Sequence, residues 1–359
     1  MADTQNRSRR VKLVDVALKA GVSSVTVSRT LRRPDMVSPE LRQRVERAVN
    51  ELAYIPSRAA SALASSRTHT IGVVISSLTN GVFADYLRAL HDVFLPAGFQ
   101  VLVLNSRYSP AEEERAIATL LGQHPEAMIL AATDQTAHAR RLLERAGVPV
   151  VQTMELSDDP IDINIGLSQC EAGYAATRYL ARLGHRKIGA IAARLDSRTR
   201  SRIEGYRRAM AEAGLDTEGL VALTHRRSSV AIGAESLREV LKTAPDLEAV
   251  FCGNDDLALG VLFECGRLGI PVPGQMSIVG FNDLEYAASA FPSLTSVATP
   301  RYEMGRKSAE IVLEIIRGSG KRPVSRRIDL SFSISERQST SRRPEADTHG
   351  AALPQVSAV

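Results

Sequence analysis

From Thr70 onward the chain alternates short apolar runs with stretches of helical period. The runs TIGVVI, FQVLVLN, EAMILAA, VPVVQTM, KIGAIAA, GLVALT, LEAVFCG and MSIVGFND show no alternation of apolar and polar positions. Strands of that kind are expected to be buried on both faces, as in a parallel sheet. Between them lie amphipathic segments such as NGVFADYLRALHDVFLPAG, CEAGYAATRYLARLG and DDLALGVLFECGRLG. Strand and helix in turn predict a doubly wound α/β architecture with parallel sheets. An irregular stretch, TMELSDDPIDINIG, falls near the middle and points to two similar lobes. In such sheets ligands sit at the carboxyl ends of the strands.

Ahead of Thr70 the pattern is different. In VKLVDVALKAGVS, Val14, Ala17 and Leu18 recur at helical spacing, and Gly21 is placed to end the helix. Ser23 can cap a second helix, SVTVSRTL, with Val27 and Leu31 facing inward. A third helix opens at VSPE, with Ser38 as cap, Pro39 at its first position and Glu40 in its first turn. Leu41, Val45, Val49 and Leu52 form its stripe. Three short helices, the first two joined by a glycine turn, make a helix-turn-helix unit. Its second helix is rich in Ser, Thr and Val beside Arg29, Arg32 and Arg33. Small side chains let a helix backbone approach the floor of the major groove, hydroxyls bond phosphates or base edges, and arginines neutralise phosphate.

Charge sharpens this picture. Residues 1–67 carry 13 Lys and Arg against 6 Asp and Glu, while the rest carry 32 against 34. All the excess positive charge of the chain therefore lies in its first fifth, as expected of a polyanion-binding head on a near-neutral body. The segment IPSRAASALASSRT reads either as a linker or as a short helix whose order depends on DNA or a second copy. The expected organisation is a basic disordered arm (1–10), a helix-turn-helix domain (11–56), a hinge (57–68), a two-lobed body (69–338) and a disordered tail (339–359).

Other classes find little support. No G-x-G-x-x-G or G-x-x-x-x-G-K-[ST] loop is present. The cysteines Cys170, Cys252 and Cys265 match no zinc spacing, and the histidines show no nucleophile or metal pattern. Asp255-Asp256 reads as a helix start, and Glu112-Glu113-Glu114 as a solvated helix face. We expect no enzyme activity, no cofactor, no metal and no membrane partner. The polar, basic N-terminus and sparse cysteines indicate a cytoplasmic, nucleoid-associated protein.

The chain resembles the LacI/GalR family of transcription regulators across residues 11–335. The likeness is carried by LVDVALKAGVSSVTVSRTL, VSPELRQRVERAVNELAYIPSRAASALAS, LGHRKIGAI, RIEGY, FCGNDDLALG and SIVGFNDLE. SSLTNGVFADYLR, ARLDSRTR and FECGRLG look most like its gluconate-utilisation branch. The resemblance implies an N-terminal three-helix DNA-binding domain followed by a periplasmic-binding-protein-like body. It also implies a homodimer, with a tetramer left open, that represses from a pseudo-palindromic operator of double-stranded DNA. A small sugar or sugar acid would release it; corepression of the purine-repressor type, or a cytosolic sugar-binding protein or α/β enzyme, are the alternatives. By position, Ser24, Val25 and Arg29 would read bases, and Ser23, Thr26 and Ser28 would meet phosphates. Arg58, Ala60 and Leu63 would belong to a hinge helix, with Leu63 wedged between base pairs. Effector contacts would fall to Val82, Phe83, Thr133, Arg202, Asn254 and Asn282, with Arg202 holding a carboxylate through a paired contact.

Overall fold

The computed structural model describes residues 11–56, 67–318 and 321–343. The chain divides into two compact units, Met1–Thr68 and His69–Val359. Arg58, Ala60 and Leu63 lie outside the described residues.

The first unit holds helices α1 (Leu13–Ala20), α2 (Ser24–Arg32) and α3 (Pro39–Glu51), with a 3-10 turn over Pro34–Met36. Gly21 adopts φ 63°, the left-handed conformation in which Val22 N–H reaches back to Ala17 O at 3.0 Å and closes α1. Ser23 then starts α2 by accepting the Thr26 N–H at 3.2 Å. Arg44 crosses from α3 to donate to Ala20 O at 2.7 Å, satisfying the exposed end of α1. The core is Val16, Ala17, Ala20, Val27, Val45 and Ala48. Two sequence expectations need correction. Val14 and Leu18 are exposed, because Leu13, Val16, Ala17 and Ala20 have the same helical spacing and it is this face that meets α2 and α3. Ser38 stands at the start of α3 without a side-chain capping bond.

The second unit has two six-stranded sheets. The first runs β11 (Arg327–Asp329), β5 (Ile163–Gly166), β4 (Val150–Thr153), β3 (Ala127–Leu130), β1 (Thr70–Ile75) and β2 (Gln100–Asn105), all parallel. The second runs β12 (Ser333–Ser335), β10 (Thr295–Ala298), β9 (Ser277–Asn282), β8 (Ala249–Cys252), β6 (Ile188–Ala193) and β7 (Val221–Thr224), with β12 antiparallel to β10. The central strands are buried on both faces, as the apolar runs require. The edge strands β2 and β7 are partly exposed, since neither has a second neighbour.

Two further expectations are revised. The stretch read as irregular contains β5. Beyond Asp283, within the expected body, the chain runs through β10, the helix Arg301–Arg317 and strands β11 and β12. That helix packs on the helix Val82–Phe94 and returns the chain to the first sheet. Finally, residues 339–343 are ordered. Ser339 is fully buried; its carbonyl accepts Ile278 N–H at 2.8 Å and its hydroxyl donates to Ile278 O at 2.6 Å. Hydroxyl and backbone bonds hold this segment, so it carries no apolar pattern. Among the described residues no helix is long and apolar enough to cross a membrane.

Candidate functional site

On α2, Val27 and Thr30 face the core, leaving Val25, Arg29, Arg32 and Arg33 exposed and Ser24, Thr26 and Ser28 half-exposed. Val25 is 66% exposed on the same face as the exposed arginines. The Ser23 and Thr26 hydroxyls lie 2.9 Å apart, and the Arg32 guanidinium bonds the Ser28 hydroxyl. This surface is small, cationic and flanked by hydroxyls, the chemistry that fits a DNA groove and its phosphates.

The second site is a cleft of about 650 Å³, part of it open to solvent, at the carboxyl ends of strands from both sheets. Helices begin around it. Asn80 Oδ1 accepts the Val82 N–H at 3.1 Å, which starts the helix Val82–Phe94 and brings Val82 and buried Phe83 to the wall. Asp196 caps the helix Ser197–Glu212 through Thr199 N–H at 2.9 Å, and Arg198 and Arg202 project one turn apart from that helix. Asn254 caps the helix Asp255–Leu268 through Leu257 N–H at 3.0 Å, while its amide donates to Ser228 Oγ at 2.7 Å. Asn282 ends β9 with φ 104°, and its side chain makes no hydrogen bond among the described residues. Asparagine tolerates positive φ, but 104° lies beyond the usual left-handed well, a conformation its surroundings must hold.

Arg202 is fixed on three sides. Its Nε donates to Gln169 Oε1 at 2.7 Å, Nη1 donates to Gly253 O at 2.6 Å, and the guanidinium carbon lies 3.8 Å from the Phe281 ring centroid. Burial pulls its pKa down to about 10, with nearby Arg198 adding to the effect and Asp196 opposing it. With Nε and one Nη1 hydrogen engaged, the second Nη1 hydrogen and both Nη2 hydrogens remain, enough for the paired carboxylate contact expected of Arg202. Arg194 stacks on Tyr108, 4.1 Å from its centroid, and the Tyr108 hydroxyl accepts from Asn80 Nδ2 at 3.1 Å. Burial works against the Asp196 carboxylate, but Arg198 and the Thr199 amide and hydroxyl outweigh it and hold the pKa below the usual range. The walls therefore carry Arg194, Arg198, Arg202 and Arg301 against one carboxylate, Asp196.

Five of the six expected effector residues, Val82, Phe83, Arg202, Asn254 and Asn282, meet in this cleft. Thr133 does not. It lines an adjoining cavity with Ser76, Ser106, Glu113, Asp134 and Glu155, which shares Tyr108, Asp196 and Arg198 with the cleft. Glu113 is buried there, accepts from Gln135 Nε2 at 3.0 Å, and has its pKa raised by burial. The Glu112–Glu114 run is thus not the solvated face the sequence suggested. Asn80, Tyr108, Gln169, Arg198 and Arg301 also reach the cleft and were missed. Arg198 was detectable from its four-residue spacing to Arg202 on one helix face; Arg301 lies beyond the last element read from the pattern.

Residues 12–57 match the model of bacterial regulatory proteins of the lacI family, and residues 177–340 match the periplasmic binding protein-like domain. The chain is 42% identical to the HTH-type transcriptional regulator GntR of Pseudomonas aeruginosa over 92% of its length and 96% of that protein. The chain belongs to the lacI family. It is a DNA-binding transcriptional regulator and not an enzyme. A crystal structure of a lacI-family transcriptional regulator from Silicibacter pomeroyi superposes with TM-score 0.87 at 33% identity, covering 92% of this chain and 100% of that one. The lac repressor dimer bound to operator superposes with TM-score 0.79 at 27% identity, covering 93% and 100%.

Proposed function

We propose that this lacI-family protein is a repressor that binds a pseudo-palindromic operator as a dimer and is released by an anionic sugar acid of gluconate type. The observation that carries the ligand reading is the cationic wall of the cleft, which holds Arg194, Arg198, Arg202 and Arg301 with Asp196 as its one acid, Asp85 pairing with Arg301 and Glu155 lying in the adjoining cavity. A carboxylate answers the charge those neighbours leave, which a neutral sugar does not. The Asn282 and Asn254 amides and the Ser228 hydroxyl suit the hydroxyl groups of such a ligand. The similarity to GntR of Pseudomonas aeruginosa and to a repressor solved as a dimer on operator supports the regulatory part.

On the DNA side, Ser24, Val25 and Arg29 are assigned to base edges, and Ser23, Thr26, Ser28, Arg32 and Arg33 to phosphates. Release follows from linkage: whatever factor the effector takes from DNA affinity, DNA takes from effector affinity. A thermal-shift series on the full protein tests the ligand class. Gluconate, ketogluconates or hexuronates should raise Tm in proportion to log concentration above Kd, and neutral hexoses should not. Stabilisation by neutral hexoses alone would overturn the reading.

A further inference from the structure

Arg301 opens the helix Arg301–Arg317, whose N-cap, Pro300, supplies no side-chain bond. It is 9% exposed and lines the cleft. Nη1 donates to the Asn282 carbonyl and to Thr299 Oγ1 at 3.3 Å; Nη2 donates to Asp85 Oδ2 at 3.2 Å and to Asp283 O at 3.2 Å. Nε is buried and has no partner. Among the described residues only His185 Nδ1 shares that condition. A buried donor on a charged group is costly to leave unmatched, so a site that keeps one has a use for it. The carbonyls held by Arg301 belong to Asn282 and Asp283, both in left-handed conformation with φ 104° and 55°. The positive end of a long helix lies at the same point and favours an anion.

We propose that Arg301 is an effector-binding residue, its Nε donating to an anionic oxygen of the ligand, and that Asp85, held by Nη2, offsets part of the charge this contact draws on. The proposal rests on the anionic-ligand reading above. Asp85 lies on the helix Val82–Phe94 and also pairs with Arg88 at 2.9 Å. That helix and Arg301–Arg317 touch closely at Gly305, where a β-carbon would stand 2.4 Å from Tyr86 O. Arg301 can thus answer a ligand oxygen through Nε while Nη2 keeps its charge pair with a packed helix.

Titration calorimetry of the full protein, with gluconate as the probe, tests this. Arg301→Gln should lose roughly tenfold to a hundredfold in affinity and keep its affinity for operator DNA. Asp85→Asn should bind gluconate several-fold more tightly, because the anionic ligand then meets a guanidinium whose charge Asp85 no longer offsets. Wild-type affinity in Arg301→Gln overturns the proposal. Should that variant not fold, Asp85→Asn decides alone: its carboxylate is 39% exposed, and unchanged or weaker binding overturns the proposal. Failure of the wild-type protein to bind gluconate or any other sugar acid would instead overturn the ligand reading itself.

Discussion

The guanidinium of Arg202 rests 3.8 Å from the centroid of Phe281, the residue immediately before strained Asn282 on β9. One contact thus links a cation of the cleft to the strand end that presents its free amide. Stacking over a ring keeps the charge in place while leaving its edge to bond. Arg202→Ala should lower gluconate affinity by on the order of tenfold to a hundredfold, and Arg202→Lys should not restore it. Operator affinity without ligand should stay within about twofold of wild type, a shift under ~0.5 kcal/mol. Calorimetry against ligand and anisotropy against DNA separate the two effects.

The helices Gln169–Arg182 and Ser197–Glu212 approach so closely that a β-carbon on Gly205 would stand 2.0 Å from Cys170 O. The atom in the way is backbone, so Gly205→Ala must push the helices apart. A loss of ~1–3 kcal/mol is expected, read as a lower urea midpoint. Because the second helix carries Arg198 and Arg202, ligand affinity should fall with it. Full stability and affinity in Gly205→Ala would show that this crossing is not constrained.

Asp255 is buried, with Oδ2 accepting Leu284 N–H at 2.7 Å and Oδ1 accepting the Ser296 hydroxyl at 2.6 Å. Burial raises its pKa from 3.8 to about 7, Asp283 adding to the rise and Arg301 opposing it. Between these values the folded protein holds a proton that the unfolded chain has released. The stability it gives is complete below 3.8 and is lost as pH rises through about 7. Asp255→Asn keeps an acceptor for Leu284 and has no proton to lose. Its stability relative to wild type should rise across that window in urea melts at stepped pH, and parallel curves would contradict the assignment.

On the DNA face, Val25 and Arg33 are predicted to act differently. Val25→Lys should change which operator is preferred, since an exposed apolar group in the groove meets base edges. Arg33→Ala should weaken all duplexes alike and reduce the slope of log affinity against log salt by about one. A sequence-selective effect of Arg33→Ala, or none of Val25→Lys, would reverse these roles.

The architecture was legible where burial dictated composition. The apolar strands of both sheets and the cap at Ser23 stood in the sequence because each needs a particular residue type. Helix α1 misled because Val14–Ala17–Leu18 and Leu13–Val16–Ala17–Ala20 have equal periodicity, and only packing chooses between them. Residues 339–343 and Arg301 escaped because hydroxyl, carbonyl and guanidinium bonds hold them, and such bonds leave no hydrophobic rhythm. Thr133 stood apart for a related reason: strand order places its loop beside Glu113 and Glu155, in the adjoining cavity.

The most direct test is fluorescence anisotropy of the full protein on a duplex from the control region of its own gene, at several salt concentrations, with and without gluconate. Affinity that falls steeply with salt, exceeds that for a scrambled duplex, and drops when gluconate is added is the predicted result. Equal affinity for both duplexes with no response to any sugar acid would contradict the account.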